Sequence, residues 1–204
     1  MQTSYTLPLF PLGLVLFPQG VLPLRIFEAR YLDMVKNCLR HNSPFGVVAV
    51  TDEKAHPNDR LPFASIGCTS LIQDVDASEP GLMSIHCHGG NKFKVISAKQ
   101  QADGLWMAEV EDCPPETQLA VPEDLSIAKT YMQELLDSLT TQAIEERFLP
   151  MTEPYAVDDC AWLANRWSEI LAMPLVQKQR LLALDSPLVR LELVHDLLSN
   201  VIKA

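Results

Sequence analysis

All 8 glycines of this 204-residue chain lie at or before Gly104. Glycine serves turns, hairpins and bulges, and it weakens helix interiors. A chain that spends its glycine this way should be turn-rich in its first half and helical in its second. The first half reads as short strands at 5–10, 21–26, 45–50, 64–75, 82–87, 93–101 and 105–110, with turn residues between them. Gly89-Gly90 and Asp103-Gly104 are the strongest turn signals. One helix interrupts the strands, at about 29–40, because Tyr31, Met34, Val35 and Cys38 or Leu39 recur at helical spacing. Glu28 stands near its start, where a negative charge suits the helix dipole.

Cys113-Pro114-Pro115 through Pro122 reads as a linker. Beyond it, Ala128, Tyr131, Leu135 and Leu139 share one helical face, and further helices are expected at 157–171 and 175–184. Asp158 or Asp159 falls in the first turn of the former. The final helix is the best marked. Ser186 is a natural cap, Pro187 suits the first helical position, and Leu188, Leu191, Val194, Leu198 and Val201 follow at helical steps. The expectation is an α+β chain: a β subdomain over 1–112 with one inserted helix, a linker at 113–122, and a helical bundle over 123–204.

The net charge is −10, and both halves are acidic: nine cations face thirteen carboxylates up to residue 121, and seven face thirteen after it. Such a surface disfavours phosphate backbones, so nucleic acid and anionic membrane are not expected as primary partners. The apolar stretch 7–24 is broken by Pro8, Pro11, Pro18 and Pro23, and it lacks the basic start and cleavage site of a signal peptide. A cytoplasmic chain is therefore expected. The five cysteines, Cys38, Cys68, Cys87, Cys113 and Cys160, are odd in number and widely spaced, so they read as reduced thiols.

The chain carries few catalytic patterns. The chain has no Gly-Lys pair, which excludes a Walker-type phosphate loop, and it has no His-Glu-x-x-His and no Gly-x-Ser-x-Gly. His86 and His88 would share a strand face, but no second ligand pair accompanies them, so no metal is expected. Ser126 and Lys129 are three apart on a helix start, where a solvated face explains them better than a nucleophile pair. Trp162 and Trp167, with Asn165 and Arg166 between them, read as helical core or interface packing. Arg25, Glu28 and Arg30 are expected to form an ion-pair network pinning the first helix to the preceding strand. No cofactor is implied.

Leu7-Pro8-Leu9-Phe10-Pro11-Leu12, Val15-Leu16-Phe17-Pro18 and Leu22-Pro23-Leu24-Arg25-Ile26-Phe27-Glu28-Ala29-Arg30-Tyr31-Leu32 together resemble the opening of the Lon protease amino-terminal domain. Supporting similarities run through Pro44-Phe45-Gly46-Val47-Val48, Ile66-Gly67-Cys68-Thr69, Gly90-Asn91-Lys92-Phe93-Lys94-Val95 and Leu105-Trp106-Met107-Ala108-Glu109-Val110. Cys68 and Lys92 depart from the residues usual there. Trp162 to Glu169 and Gln179-Arg180-Leu181-Leu182 extend the likeness into the helical half. The resemblance implies a PUA-like β subdomain followed by a helical bundle. It also implies a role in recognising unfolded or tagged polypeptides. With the sequence ending at Ala204, the ATPase and Ser-Lys protease domains of full Lon proteases are not expected. The same domain occurs in cereblon, whose ligand-binding zinc domain has no counterpart here.

Two functions follow as expectations. The leading one is a non-enzymatic, ATP-independent module that binds unfolded or tagged polypeptide, with a separate protease or chaperone left open as collaborator. Phe10, Leu14, Leu16, Phe17 and Met83 are the candidates for its apolar surface near the junction of the two halves. The alternative is RNA binding, which rests on the kinship of PUA-like folds and needs a basic stripe from Lys92, Lys94 and Lys99.

Overall fold

The computed structural model describes residues 4–51, 61–141 and 149–202. Six strands are β1 (Tyr5–Leu12), β2 (Val21–Ile26), β3 (Phe45–Ala49), β4 (Ile66–Asp76), β5 (Met83–Gln100) and β6 (Trp106–Asp112). Five helices are α1 (Ala29–His41), α2 (Ser126–Thr141), α3 (Cys160–Ile170), α4 (Leu175–Ala183) and α5 (Pro187–Ile202). The sheet runs β2-β5-β4-β3-β1-β6, and β6 pairs back onto β5. The strands from β5 through β6 thus close on themselves as a barrel, with β2 laid outside along the first half of β5. Closure removes the open edges that a flat sheet of this size would expose. Among the described strands β1 and β3 alone run parallel, with β2 and α1 carrying the chain between them.

The sequence places two strands, 82–87 and 93–101, where the structure has one. β5 is a continuous strand of 18 residues, and Gly89-Gly90 lies inside it. A Cβ on Gly89 would fall 2.2 Å from the Phe17 carbonyl oxygen, and one on Gly90 would fall 2.5 Å from Thr69 Oγ1. These glycines admit neighbouring chain segments rather than reversing direction, and the β4–β5 register shifts beside them, between Cys68 and Ser70. Gly104 does serve a turn, with a φ of 88° between β5 and β6.

α1 buries Tyr31, Met34, Val35 and Cys38, the face given by the sequence spacing. It ends at Asn42, whose φ of 47° is the left-handed conformation that asparagine tolerates. Asp159 caps α3 by accepting from the Trp162 N–H, and the Ser186 hydroxyl accepts from the Val189 N–H at the start of α5. The buried core falls into three clusters. One joins the helical residues Met132, Leu163, Leu182, Leu191 and Val194 to Val15, Phe17 and Ala49 of the barrel side. Phe17 is wholly buried there, which is worth about 1.5–3 kcal/mol for such a side chain. No described helix is long and apolar enough to cross a membrane.

Candidate functional site

Two concave regions lie on or beside the helical half, and they differ in chemistry. The first is the junction with the barrel. α3 presents Arg166 inward, 1% exposed. Its guanidinium donates to the carbonyls of Gln19 (2.6 Å) and Pro18 (2.7 Å) and pairs with Glu169 at 3.1 Å. Glu169 in turn accepts from the Phe17 N–H at 3.1 Å, and Lys178 of α4 donates to the Glu169 carbonyl at 2.7 Å. One turn of α3 thereby grips the loop between β1 and β2. Burial pushes the Glu169 carboxyl up to about 7, against the opposing pull of Arg166, the Phe17 N–H and Lys178.

A second knot lies beside it. Arg190 of α5, wholly buried, donates to Glu116 (2.5 Å), Asn165 (2.7 Å) and the carbonyls of Leu181 (2.9 Å) and Leu184 (2.6 Å). Lys92 of β5 reaches the Leu184 carbonyl at 2.9 Å and lies 3.4 Å from Glu116. Asn165 completes the ring by donating to Glu116 at 2.9 Å. Burial raises the Glu116 carboxyl, but Arg190, Asn165 and Lys92 outweigh it and hold the group below its ordinary range. A cavity of about 290 Å³ opens over this knot, walled by Pro18, Gly90, Lys92, Glu116, Asp159 and Trp162. Its charged walls are already engaged: Glu116 and Lys92 as above, and Asp159 on the N–H groups of Leu119 and Trp162.

The second region is a groove of about 380 Å³ between α4 and α5. Met173, Leu181, Leu184, Leu193 and Leu197 floor it, and Gln177, Arg180 and Asp196 are its polar members. Leu193 is 45% exposed, with Val176 and Val189 adding further exposed apolar surface on the same two helices. This groove was missed in reading the sequence, although a signal existed. The face Leu188, Leu191, Val194 and Leu198 accounts for the buried side of α5, and Val189, Leu193 and Leu197 then form a second apolar row at four-residue steps. A helix apolar on two faces needs a second cover.

The residues singled out from the sequence lie elsewhere. Of the five apolar candidates, Leu16, Phe17 and Met83 are buried, and Phe10 is half-buried, stacked on Tyr31 with ring centres 4.0 Å apart. Only Leu14 is exposed, at 36%, so the five form no continuous surface. The anticipated network of Arg25, Glu28 and Arg30 is smaller and points another way. Arg30 pairs with Glu28 at 2.7 Å, donates to the Gly104 carbonyl at 3.0 Å and covers the Tyr31 ring. It ties α1 to the β5–β6 turn, while Arg25 is exposed and makes no ion pair with a described residue. The basic stripe loses its first member, because Lys92 is 5% exposed and committed to the helical half; Lys94 and Lys99 are exposed. Lys129 pairs with Asp158 rather than with Ser126. Trp162 and Trp167 are core, the latter donating to the Ala128 carbonyl at 2.9 Å. His86 and His88 sit in the β2–β5–β4 pairing, and among the described residues no cluster of three or more His, Cys, Asp or Glu is arranged to hold a metal.

Comparison with known proteins places this architecture. The family model of the ATP-dependent protease La (LON) substrate-binding domain matches residues 6–200. Lon protease 1 of Myxococcus xanthus is 26% identical over 212 residues, an alignment covering 99% of this chain and 25% of that protein. Protein cereblon of Gallus gallus is 30% identical over 128 residues, covering 59% of this chain and 27% of the relative. The chain thus spans about a quarter of the length of these curated relatives. Among solved structures, a Lon N-terminal domain protein from Xanthomonas campestris matches with a TM-score of 0.74 at 30% identity, over 93% of this chain and 96% of that one. The N-terminal domain of a Mycobacterium avium complex Lon protease shares the fold, with a TM-score of 0.63 at 16% identity over 94% of this chain and 97% of that one.

Proposed function

Since the chain belongs to the family of Lon substrate-binding domains, we propose that it is a polypeptide-binding module that holds unfolded or tagged segments on the groove between α4 and α5. The observation that carries this reading is the groove itself, an open apolar floor of Met173, Leu181, Leu184, Leu193 and Leu197. An apolar groove left part-open around the exposed Leu193 is the kind of surface that marks interaction sites. A floor without fixed hydrogen-bond donors accepts many side-chain sequences, as a binder of unfolded chains must. A contact this small gives transient association, with affinity on the order of micromolar. The role is recognition, without nucleotide and without chemistry on the bound chain.

The test is fluorescence anisotropy of a labelled, permanently unfolded protein, with and without ATP. Binding is expected in both, and Leu193→Asn should weaken it at least about tenfold, since one lost apolar anchor at an interface centre costs this much. Salt-sensitive binding of a single-stranded RNA, with no polypeptide bound, would overturn the reading.

A further inference from the structure

We infer that the cavity over the junction is a second binding site, one that takes the backbone of an extended polypeptide through the carboxamides of Gln19, Asn91 and Gln118. It shares the polypeptide-binding role proposed above, but neither the groove nor its apolar chemistry. The cavity holds about 290 Å³, and these three residues line it from three separate segments: the β1–β2 loop, β5 and the stretch between β6 and α2. All three are exposed, and among the described residues none of their side chains has a hydrogen-bond partner. The charged walls and the fourth carboxamide are committed. Lys92 and Glu116 belong to the knot, Asn165 donates to Glu116 and accepts from Arg190, and Asp159 holds the N–H groups of Leu119 and Trp162. An entering carboxylate, phosphate or ammonium would give up water without meeting a free opposite charge, which is costly. A neutral amide fits instead. A carboxamide offers one carbonyl acceptor and two N–H donors, so it can meet the N–H and the C=O of a peptide group together. Every residue but proline repeats that pair along a chain, so such recognition is blind to sequence.

Gln19 adds an independent observation. Its φ of 61° is left-handed, a conformation that glycine adopts freely and glutamine does not. The backbone there is fixed on both sides. Its N–H donates to the Gly89 carbonyl at 2.8 Å, and its carbonyl accepts from Arg166 at 2.6 Å. Strained residues of this kind concentrate at ligand clamps and other functional positions. The Gln19 carboxamide makes no hydrogen bond within the described fold that would offset the strain, and its place on the cavity wall is the use to which the strain points.

The experiment is a nitrogen–proton correlation titration of the isotope-labelled full chain, which displays side-chain carboxamide signals directly. The probe is an end-capped peptide of alternating alanine and serine, raised to about 5 mM, a range that registers Kd values near a millimolar. The side-chain signals of Gln19, Asn91 and Gln118 should move together with one Kd. The same peptide N-methylated at each alanine should bind about tenfold more weakly, as the loss of one or two neutral hydrogen bonds implies. The double variant Gln19→Gly, Gln118→Ala should lose about as much. Its melting temperature should be no lower than the parent's, since glycine accepts the left-handed conformation. Leu193→Asn should leave the carboxamide response unchanged. No movement of these signals, or equal binding of the N-methylated peptide, would overturn the inference. Movement confined to α4 and α5 would overturn it and leave the groove reading standing. Failure of the groove test with the carboxamide response intact would do the reverse. Oligouridylate moving the three signals where the peptide does not would give the cavity to a nucleobase and overturn the inference.

Discussion

The junction and the groove are both concave, both built on α5, and opposite in their state of satisfaction. At the junction, Arg190, Asn165, Glu116 and Lys92 each find hydrogen-bonding or ionic partners within the chain. In the groove, Leu193 remains 45% exposed. A dense set of charged residues attracts functional interpretation, yet these four are committed to one another; beside them the buried Arg166 Nε has no hydrogen-bond partner among the described residues. What sets the groove apart is unmet burial rather than chemical variety.

The contrast can be broken most forcefully at Arg190. Replacing it with methionine removes four contacts at once and leaves the Glu116 carboxylate with the Asn165 amide and the more distant Lys92 ammonium as its remaining partners. The expected loss is about 3–5 kcal/mol, the cost of breaking a buried pair on one side, read by urea denaturation. A loss under about 1 kcal/mol would mean that the knot is not what joins the halves.

Gly89→Ala probes the same seam without touching a charge. Its methyl would fall 2.2 Å from the Phe17 carbonyl oxygen, so the loop or β5 must move, at about 1–3 kcal/mol. Gly13→Ala is the control, since nothing lies within 4 Å of the new atom. Equal melting temperatures for the two variants would remove the close-approach account of Gly89.

A pH titration sharpens the comparison further. Glu169 titrates at about 7 in the fold, against 4.5 ordinarily. The folded chain thus holds this proton more tightly than the unfolded chain. The corresponding stability is fully present below about pH 4.5 and is lost as pH rises through 7, an effect on the order of 3 kcal/mol. Glu169→Gln should flatten that segment of the stability profile. An unchanged slope would show that another group governs it. The groove has no such buried carboxylate, and Leu193→Asn should shift stability by no more than about 0.5 kcal/mol at any pH, as exposed positions do. A large destabilisation by Leu193→Asn would mean that the groove is core.

Much of the fold was legible because local rules govern it. The glycine boundary at Gly104, the α1 periodicity of Tyr31, Met34, Val35 and Cys38, and the Ser186-Pro187 start of α5 each depend on neighbours a few residues away. Gly89-Gly90 misled for the opposite reason: what it accommodates is Phe17, some seventy residues distant. The candidate site was less legible still. Phe10, Leu16, Phe17 and Met83 are apolar, but apolarity does not say which side of a surface a residue occupies. Lys92 reads as a surface cation from the sequence, and only the helical half laid over it makes it buried. The groove residues Leu193 and Leu197 carried a readable excess of apolar spacing, which counts only once the partner face of α5 has been assigned.

The grip of α3 on the β1–β2 loop also sets a timetable. The Phe17 N–H finds its Glu169 acceptor 152 residues later in the chain. At ordinary translation speeds of roughly 5–20 residues per second, that partner emerges from the ribosome on the order of ten seconds after the loop does. β1 waits as well, since Tyr5 pairs with Val110 of β6. Throughout that interval the loop at Phe17 lacks its α3 acceptor. Pro8, Pro11, Pro18 and Pro23 have no backbone N–H to offer, which removes donors for premature pairing with other chains.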